Sequence, residues 1–158
     1  MPTRTRVEQE TVERLRAALG ITARHLRATH AGEGLTPTEL SILATISRRG
    51  SLRLTELAEI ERINPTMLSR IAARLSEARL ISREADADDR RAARVEATPA
   101  GLALHERIRA QRSASLAAHL DELPEDDVRA LRAALPALEA LAEGLRRDTP
   151  GPFAGSRT

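Results

Sequence analysis

The chain has 158 residues, a length that fits one domain, and 25 basic against 23 acidic side chains leave a net charge of only +2. Every basic residue is Arg and Cys is absent, which excludes disulfides, thiolate metal sites, cysteine nucleophiles and thiol redox sensing. Phe153 in the carboxy-terminal tail is the single Phe, Tyr or Trp, so the core must be aliphatic, and base-stacking platforms for single-stranded nucleic acid are closed.

The 28 Ala and 22 Leu favour helix. No apolar run approaches the roughly 18 residues of a membrane span, and the amino terminus shows no apolar secretory segment; a cytoplasmic location is expected. Residues 1–120 hold 20 Arg against 15 acids, whereas 121–158 hold 5 against 8. An anionic partner is therefore to be sought upstream of residue 121.

Residues 1–6 read as a basic arm. Val12, Leu15, Leu19, Thr22 and Leu26 recur at spacings of three and four, one stripe of a helix over roughly 7–30. Gly20 interrupts it, and Gly32 and Gly34 end it. Thr36-Pro37-Thr38-Glu39 is a capping box with proline in the first turn; Leu40, Leu43 and Ile46 give that helix its buried face, and Gly50 gives a left-handed stop. A short helix over about 54–60 rests on Leu54, Leu57 and Ala58. The turn Glu61-Arg62-Ile63 leads to Asn64-Pro65, a second cap and proline start. The helix from Pro65 buries Leu68, Ile71, Ala72 and Leu75 and leaves Thr66, Met67, Ser69, Arg70, Ala73 and Arg74 on other faces.

The period then changes. Ile81 to Ala85 reads as a strand, Asp86 to Arg91 as a charged tip, and Ala93, Val95 and Ala97 alternate with Arg94 and Glu96 as on a half-buried strand. This predicts a two-stranded hairpin, which must lean on helices to be stable. Thr98-Pro99 starts a long helix over about 99–120 carrying Leu102, Ile108, Leu116 and Leu120. Leu123-Pro124-Glu125 starts the last helix, striped with Val128, Leu131, Leu135, Leu138, Ala142 and Leu145 and carrying Pro136, where a kink is expected. Residues 148–158 are rich in Pro, Gly and Ser and read as a disordered tail.

The fold class is thus mainly α: a winged helix-turn-helix from Arg53 to Ala97, with a small β-hairpin wing, flanked by long helices. A short helix and a tight turn precede a helix whose exposed residues cluster in its amino-terminal half. That arrangement lets the second helix enter a major groove while the first braces it.

At this point the sequence resembles the MarR family of transcriptional regulators. The resemblance covers about residues 8–147. It is carried by L-T-P-T-E-L-S-I-L from Leu35, L-T-E-L-A from Leu54, N-P-T-M-L-S-R-I from Asn64, L-I-S-R from Leu80, D-A-D-D-R-R from Asp86 and T-P-A-G from Thr98. Three positions depart from the family pattern. Arg79 stands where Gly is usual, which implies a different cap at the exit of the recognition helix. Ala87 replaces the usual Pro, which implies a looser wing tip, and Ala97 replaces a common Leu, which thins the packing beneath the wing.

The resemblance implies a homodimer that binds a pseudo-palindromic operator in double-stranded DNA, as a repressor relieved by a small-molecule effector. Residues 1–34 and 99–147 would form the dimerisation region and 35–98 the DNA-binding domain. Val12, Leu15 and Leu19 with Val128, Leu131, Leu135 and Leu138 supply the heptad-like stripes such an interface needs. Thr66, Met67, Ser69, Arg70 and Arg74 would face the major groove, with Arg70 suited to guanine O6 and N7 and Thr66 or Met67 to thymine methyls. Arg90 and Arg91 suit a narrow minor groove, with Asp89 pairing Arg91 to stiffen the wing. Arg53 and Arg62, with Arg74, are candidates for phosphates. Arg24 and His25 are candidates for an effector pocket between the dimer helices and the wing domain.

Bland readings stand beside these. An exposed helix face or a charged hairpin tip is usually only solvated, and a winged helix can serve as a protein-interaction or ligand-binding module that does not read DNA. His25, His30, His105 and His119 match no compact zinc spacing, so no metal and no cofactor are expected. Asp126 and Asp127 sit at a helix start, where the macrodipole favours them without catalysis. No phosphate loop or nucleophile motif occurs, so no enzyme is expected.

Overall fold

The computed structural model describes residues 8–28, 34–86 and 92–148. Its elements run α1 (Gln9–Ala28), α2 (Pro37–Arg49), β1 (Leu52–Arg53), α3 (Leu54–Glu61), α4 (Pro65–Glu77), β2 (Ile81–Ala85), β3 (Ala93–Ala97), α5 (Pro99–Asp121) and α6 (Glu125–Asp148). The last helix therefore includes Asp148, which the sequence assigned to the tail. It runs through Pro136.

The proline starts at Thr36, Asn64 and Thr98 are capped. The Thr36 N–H donates to Glu39 Oε2 (2.7 Å) and the Glu39 N–H to Thr36 Oγ1 (3.3 Å), closing a reciprocal box. The Thr66 N–H donates to Asn64 Oδ1 (2.8 Å), and the Gly101 N–H to Thr98 Oγ1 (3.1 Å). These bonds satisfy backbone donors that a helix start leaves unpaired. They set where α2, α4 and α5 begin.

The expected two-stranded hairpin is a three-stranded antiparallel sheet in the order β1-β3-β2. Leu52 pairs with Val95 and Arg53 with Arg94, while Ile81 pairs with Ala97 and Ala85 with Ala93. The added strand has only two residues, too few to show a period of two. It gives β3 a ladder partner on both sides, which a marginal hairpin lacks. Its chain leads directly into α3, tying the wing to the helix-turn-helix.

One core holds these elements together. Ile42, Leu43 and Ile46 of α2, Leu57 of α3, Leu68, Ala72 and Leu75 of α4, and Ile81 and Val95 of the sheet are all buried. Each fully buried large aliphatic stabilises the fold by about 1.5–3 kcal/mol. From α5 the core takes Leu104 and Ile108, whereas Leu102 and Leu116, two of the apolar residues read on this helix, are exposed. The reason is Gly101: its Cα packs so closely on the Leu80 carbonyl that the neighbouring Leu104 turns inward, one helical turn before Ile108. Ala97 is half-buried against this core, filling less of it than a Leu would.

Two backbone details differ from expectation. Gly50 ends α2 at φ 77°, ψ −150°, a region open essentially to glycine rather than the left-handed helical well. Arg79 does not impose a different exit from α4. It adopts the left-handed conformation itself, φ 59°. The Arg79 N–H donates to the Ser76 carbonyl and the Leu80 N–H to the Leu75 carbonyl, both at 2.9 Å. This is the six-to-one closure that glycine usually serves. Arg62, the C-cap of α3, is also left-handed at φ 55°, ψ 43°.

Outside the core lie α1 and α6. Val12, Leu15, Leu19 and Ile21 are exposed on α1, and Leu131, Leu135, Leu141 and Leu145 on α6. Helix α1 packs against α5.

Candidate nucleic-acid interface

The geometry of α4 follows from its own sequence. Leu68, Ile71, Ala72 and Leu75 recur at spacings of three, one and three, so they share one face and are all buried. That fixes the rotation of the helix and turns Thr66, Met67, Ser69 and Arg70 outward, all exposed. The Asn64 cap and Pro65 set its first turn, so the outward residues sit in its amino-terminal half. Arg70 makes no ion pair among the described residues, and its guanidinium fork is free for an outside acceptor.

Arg74 is held differently. Its Nη1 lies 3.2 Å from Glu39 Oε1, and Glu39 is buried. One carboxylate therefore caps α2 and anchors the last turn of α4, while the Arg74 side chain stays mostly exposed. Arg62, on the turn between α3 and α4, is half-buried.

The wing base is built on a buried acid. Asp86 is 2 % exposed and accepts from Arg53 Nε (2.8 Å) and Nη2 (3.0 Å) and from Arg94 Nη1 (3.2 Å). Arg94 also donates to the Ser51 carbonyl and hydroxyl. Two guanidiniums on adjacent strands thus clamp the carboxylate at the end of β2. Arg53, read from the sequence as a phosphate candidate, has its fork engaged here. Asp86, read from the sequence as part of the charged tip, is instead buried at the wing base and paired with Arg53 and Arg94. The wing-tip candidates Asp89, Arg90 and Arg91, with Ala87, lie outside the described residues, as does His30.

Between α3, α4 and the sheet lies a cleft of about 240 Å³ lined by Leu54, Thr55, Pro65, Ser69, Arg83, Ala92 and Ala93. It brings Ser69 of α4 next to Arg83 of β2. Arg83 is exposed and makes no ion pair among the described residues. It was missed because L-I-S-R reads as an ordinary strand, and only the sheet's register turns it toward α4.

Arg24 and His25 are exposed on α1. His25 Nε2 lies 3.0 Å from Ser115 Oγ, and its ring meets that of His119 edge-on at 4.7 Å. Neither Arg24 nor His25 lines the larger cleft between α2 and α5, which belongs to Arg48, His105, Arg109 and Arg112 among others. Burial lowers the pKa of His105, against the raising effect of Glu106 and with the help of Arg48, Arg109 and Arg112.

A capped helix locked by one face on a braced scaffold, with a strand pair beside it, defines a winged helix-turn-helix protein. Residues 35–93 match the model of the MarR family. The HTH-type transcriptional repressor MdtR of Bacillus subtilis (strain 168) is 33% identical over 96 residues, 61% of this chain and 62% of that protein. The chain thus matches about three-fifths of that relative's length. The crystal structure of the YusO protein from Bacillus subtilis superposes with a TM-score of 0.69 at 27% identity, over 87% of this chain and 99% of that one. NadR in complex with 4-hydroxyphenylacetate shares the fold at 22% identity, with a TM-score of 0.67 over 94% of this chain and all of that one. Over residues 35–93 the chain is thus similar to the MarR family, and it shares its fold with the solved structures above.

Proposed function

We propose that the chain is a homodimeric repressor in the cytoplasm that binds a pseudo-palindromic site in double-stranded DNA and is released by a small-molecule effector. The observation that carries this reading is the outward face of α4. Its Thr66, Met67, Ser69 and Arg70 are exposed while the opposite face is locked in the core. Residues 35–98 would read DNA. Arg70 would address a guanine, Thr66 and Met67 thymine methyls, and Ser69 and Arg83 the adjacent backbone. Arg62 and Arg74 would hold phosphates, as would the exposed part of Arg53, and Asp89, Arg90 and Arg91 would serve the wing.

Residues 1–34 and 99–147 would form the dimer. The exposed leucines of α1 and α6 are a burial problem that a second copy solves. Val128 and Leu138 lie half-buried beside Leu131 and Leu135 on α6, where a partner would complete their cover. The relative MdtR is a repressor, and NadR binds 4-hydroxyphenylacetate; both support a ligand-relieved repressor here. An effector would act by favouring a spacing of the two α4 helices that misfits successive major grooves.

The test is a titration of duplex DNA from the chain's own upstream region across salt concentrations. Specific binding with a steep salt slope is expected, and Arg70→Ala should weaken the best site by about 1–3 kcal/mol and relax preference at one base position. Binding that ignores salt, or no binding to any duplex, contradicts the proposal.

A further inference from the structure

The exit of α4 and the start of α5 close on one another through one side chain. The Thr98 hydroxyl donates to the Arg79 carbonyl at 2.7 Å and accepts from the Gly101 N–H at 3.1 Å. The Thr98 N–H donates to the Leu80 carbonyl at 3.0 Å, and the Leu80 N–H donates back into α4, to the Leu75 carbonyl, at 2.9 Å. Two consecutive carbonyls beyond the end of α4 thus take their hydrogen bonds from Thr98. A threonine caps a helix as an acceptor alone. Donation to Arg79 is a second use of the same hydroxyl: capping concerns α5 only, whereas donation ties α5 to α4.

The joint has little slack. Gly101 is buried and brings the backbone of α5 onto Leu80, where a Cβ would stand 2.0 Å from the carbonyl oxygen. Arg79 is held in the left-handed region at φ 59°, and Ile81 pairs with Ala97 just beyond it. Leu104 and Ile108 also attach α5 to the core, but apolar contact is non-directional and permits sliding. Hydrogen bonds weaken steeply when bent, so the angle between α4 and α5 is set at Thr98.

The reading residues stand far from this joint. At about 1.5 Å per residue, Ser69 lies about 15 Å along the helix direction from Arg79. A pivot of about 6° at the joint would move Ser69 by about 1.6 Å, and two symmetric α4 helices by about 3 Å relative to each other, close to one base-pair step.

We propose that Thr98 is a positioning residue. By donating to the Arg79 carbonyl it fixes α4 on α5, and so sets the separation of the two α4 helices and the half-site spacing the dimer accepts. This rests on the dimeric DNA-reading function proposed above and adds the residue that sets its spacing.

The two uses of the hydroxyl can be separated. Thr98→Asp keeps a good cap for α5, but an ionised carboxylate only accepts, so it sets two acceptors face to face at Arg79. Thr98→Ser keeps both bonds. The first readout needs no DNA. The chain has no Cys, so Met67→Cys, at an exposed position of α4, takes a single spin label, and pulsed electron spin resonance reads the label-to-label distance in the full-length dimer. The otherwise unchanged chain and Thr98→Ser should give one narrow distance peak, and Thr98→Asp a distribution about twice as wide or more.

The second readout is duplex binding. Half-sites taken from duplexes selected by the parent are placed at their selected spacing and one base pair closer or further apart. The parent should lose about tenfold or more on the shifted duplexes, and Thr98→Asp about threefold or less, with affinity for a single half-site unchanged. An equally narrow distance peak in Thr98→Asp, or an undiminished spacing penalty, overturns the proposal. So does a loss at the single half-site as large as at the pair, since the reading face itself would then be damaged. If Thr98→Asp does not fold, Thr98→Val, which keeps the shape and loses both bonds of the hydroxyl, takes its place. Failure of both to fold overturns the proposal, because the hydroxyl then holds the fold rather than the spacing. A parent that binds no duplex refutes the DNA reading and leaves the distance measurement to decide on Thr98, whereas a monomeric parent refutes both.

Discussion

Asp86→Ala removes the carboxylate that joins the wing to the helix-turn-helix. Asp86 is 2 % exposed, and its partners Arg53 and Arg94 are 38% and 36% exposed. Breaking a fully buried ion pair costs about 3–5 kcal/mol, because a buried charge is left behind. Here water reaches both guanidiniums and takes over part of the lost interaction, and Arg94 keeps its bonds to Ser51. The expected loss is therefore smaller, about 1.5–3 kcal/mol. For a chain of this size that is a drop in Tm of roughly 4–10 °C. Thermal melts followed by circular dichroism measure it. The double variant Asp86→Ala/Arg94→Ala should lose less than the sum of the single changes, since the pair is shared. A Tm within 1 °C of the parent, or strict additivity, would refute the argument that this clamp holds the wing.

Three further outcomes follow from backbone and charge. Gly101→Ala places a Cβ 2.0 Å from the Leu80 carbonyl oxygen; backbone must move, at a cost of about 3 kcal/mol or more, and a variant melting with the parent contradicts the close approach. Arg79→Gly relieves a left-handed non-glycine residue and should raise stability by about 0.5–1 kcal/mol in urea unfolding; a lower midpoint at unchanged slope would oppose this. The lowered pKa of His105 means the unfolded chain binds the proton more readily. Its contribution is fully present above the unfolded value near 6.5 and is lost as pH falls through the lower folded value. His105→Gln should therefore flatten the pH dependence of Tm below pH 6.5, and a parallel curve would show that another group governs it.

The sequence was most legible where structure is local. Thr36, Asn64 and Thr98 each precede a proline, and each caps its helix, because capping involves residues only two or three apart. The buried face of α4 was fully readable, since four apolar residues on one helical face leave a single rotation. The register of α5 was not, because Ala, His and Leu are spread around it and the deciding contact, Gly101 on Leu80, joins two different elements. At the candidate interface, Thr66, Met67, Ser69 and Arg70 were readable as the face left over from the core. The bonds of Asp86 to Arg53 and of Glu39 to Arg74 span more than 30 residues each, and no spacing rule reaches them. Arg83 and the arginines of the α2–α5 cleft belong to the same class, brought together only by folding.

Selection of bound duplexes from a random pool, run in parallel with the parent chain and Arg70→Ala, tests most directly whether α4 reads DNA from a symmetric pair of subunits. A two-fold symmetric consensus is expected for the parent, with half-sites about 10–10.5 bp apart, and loss of preference at one position in each half for the variant. A pool that yields no symmetric consensus, or the same consensus at the same affinity for both proteins, contradicts it.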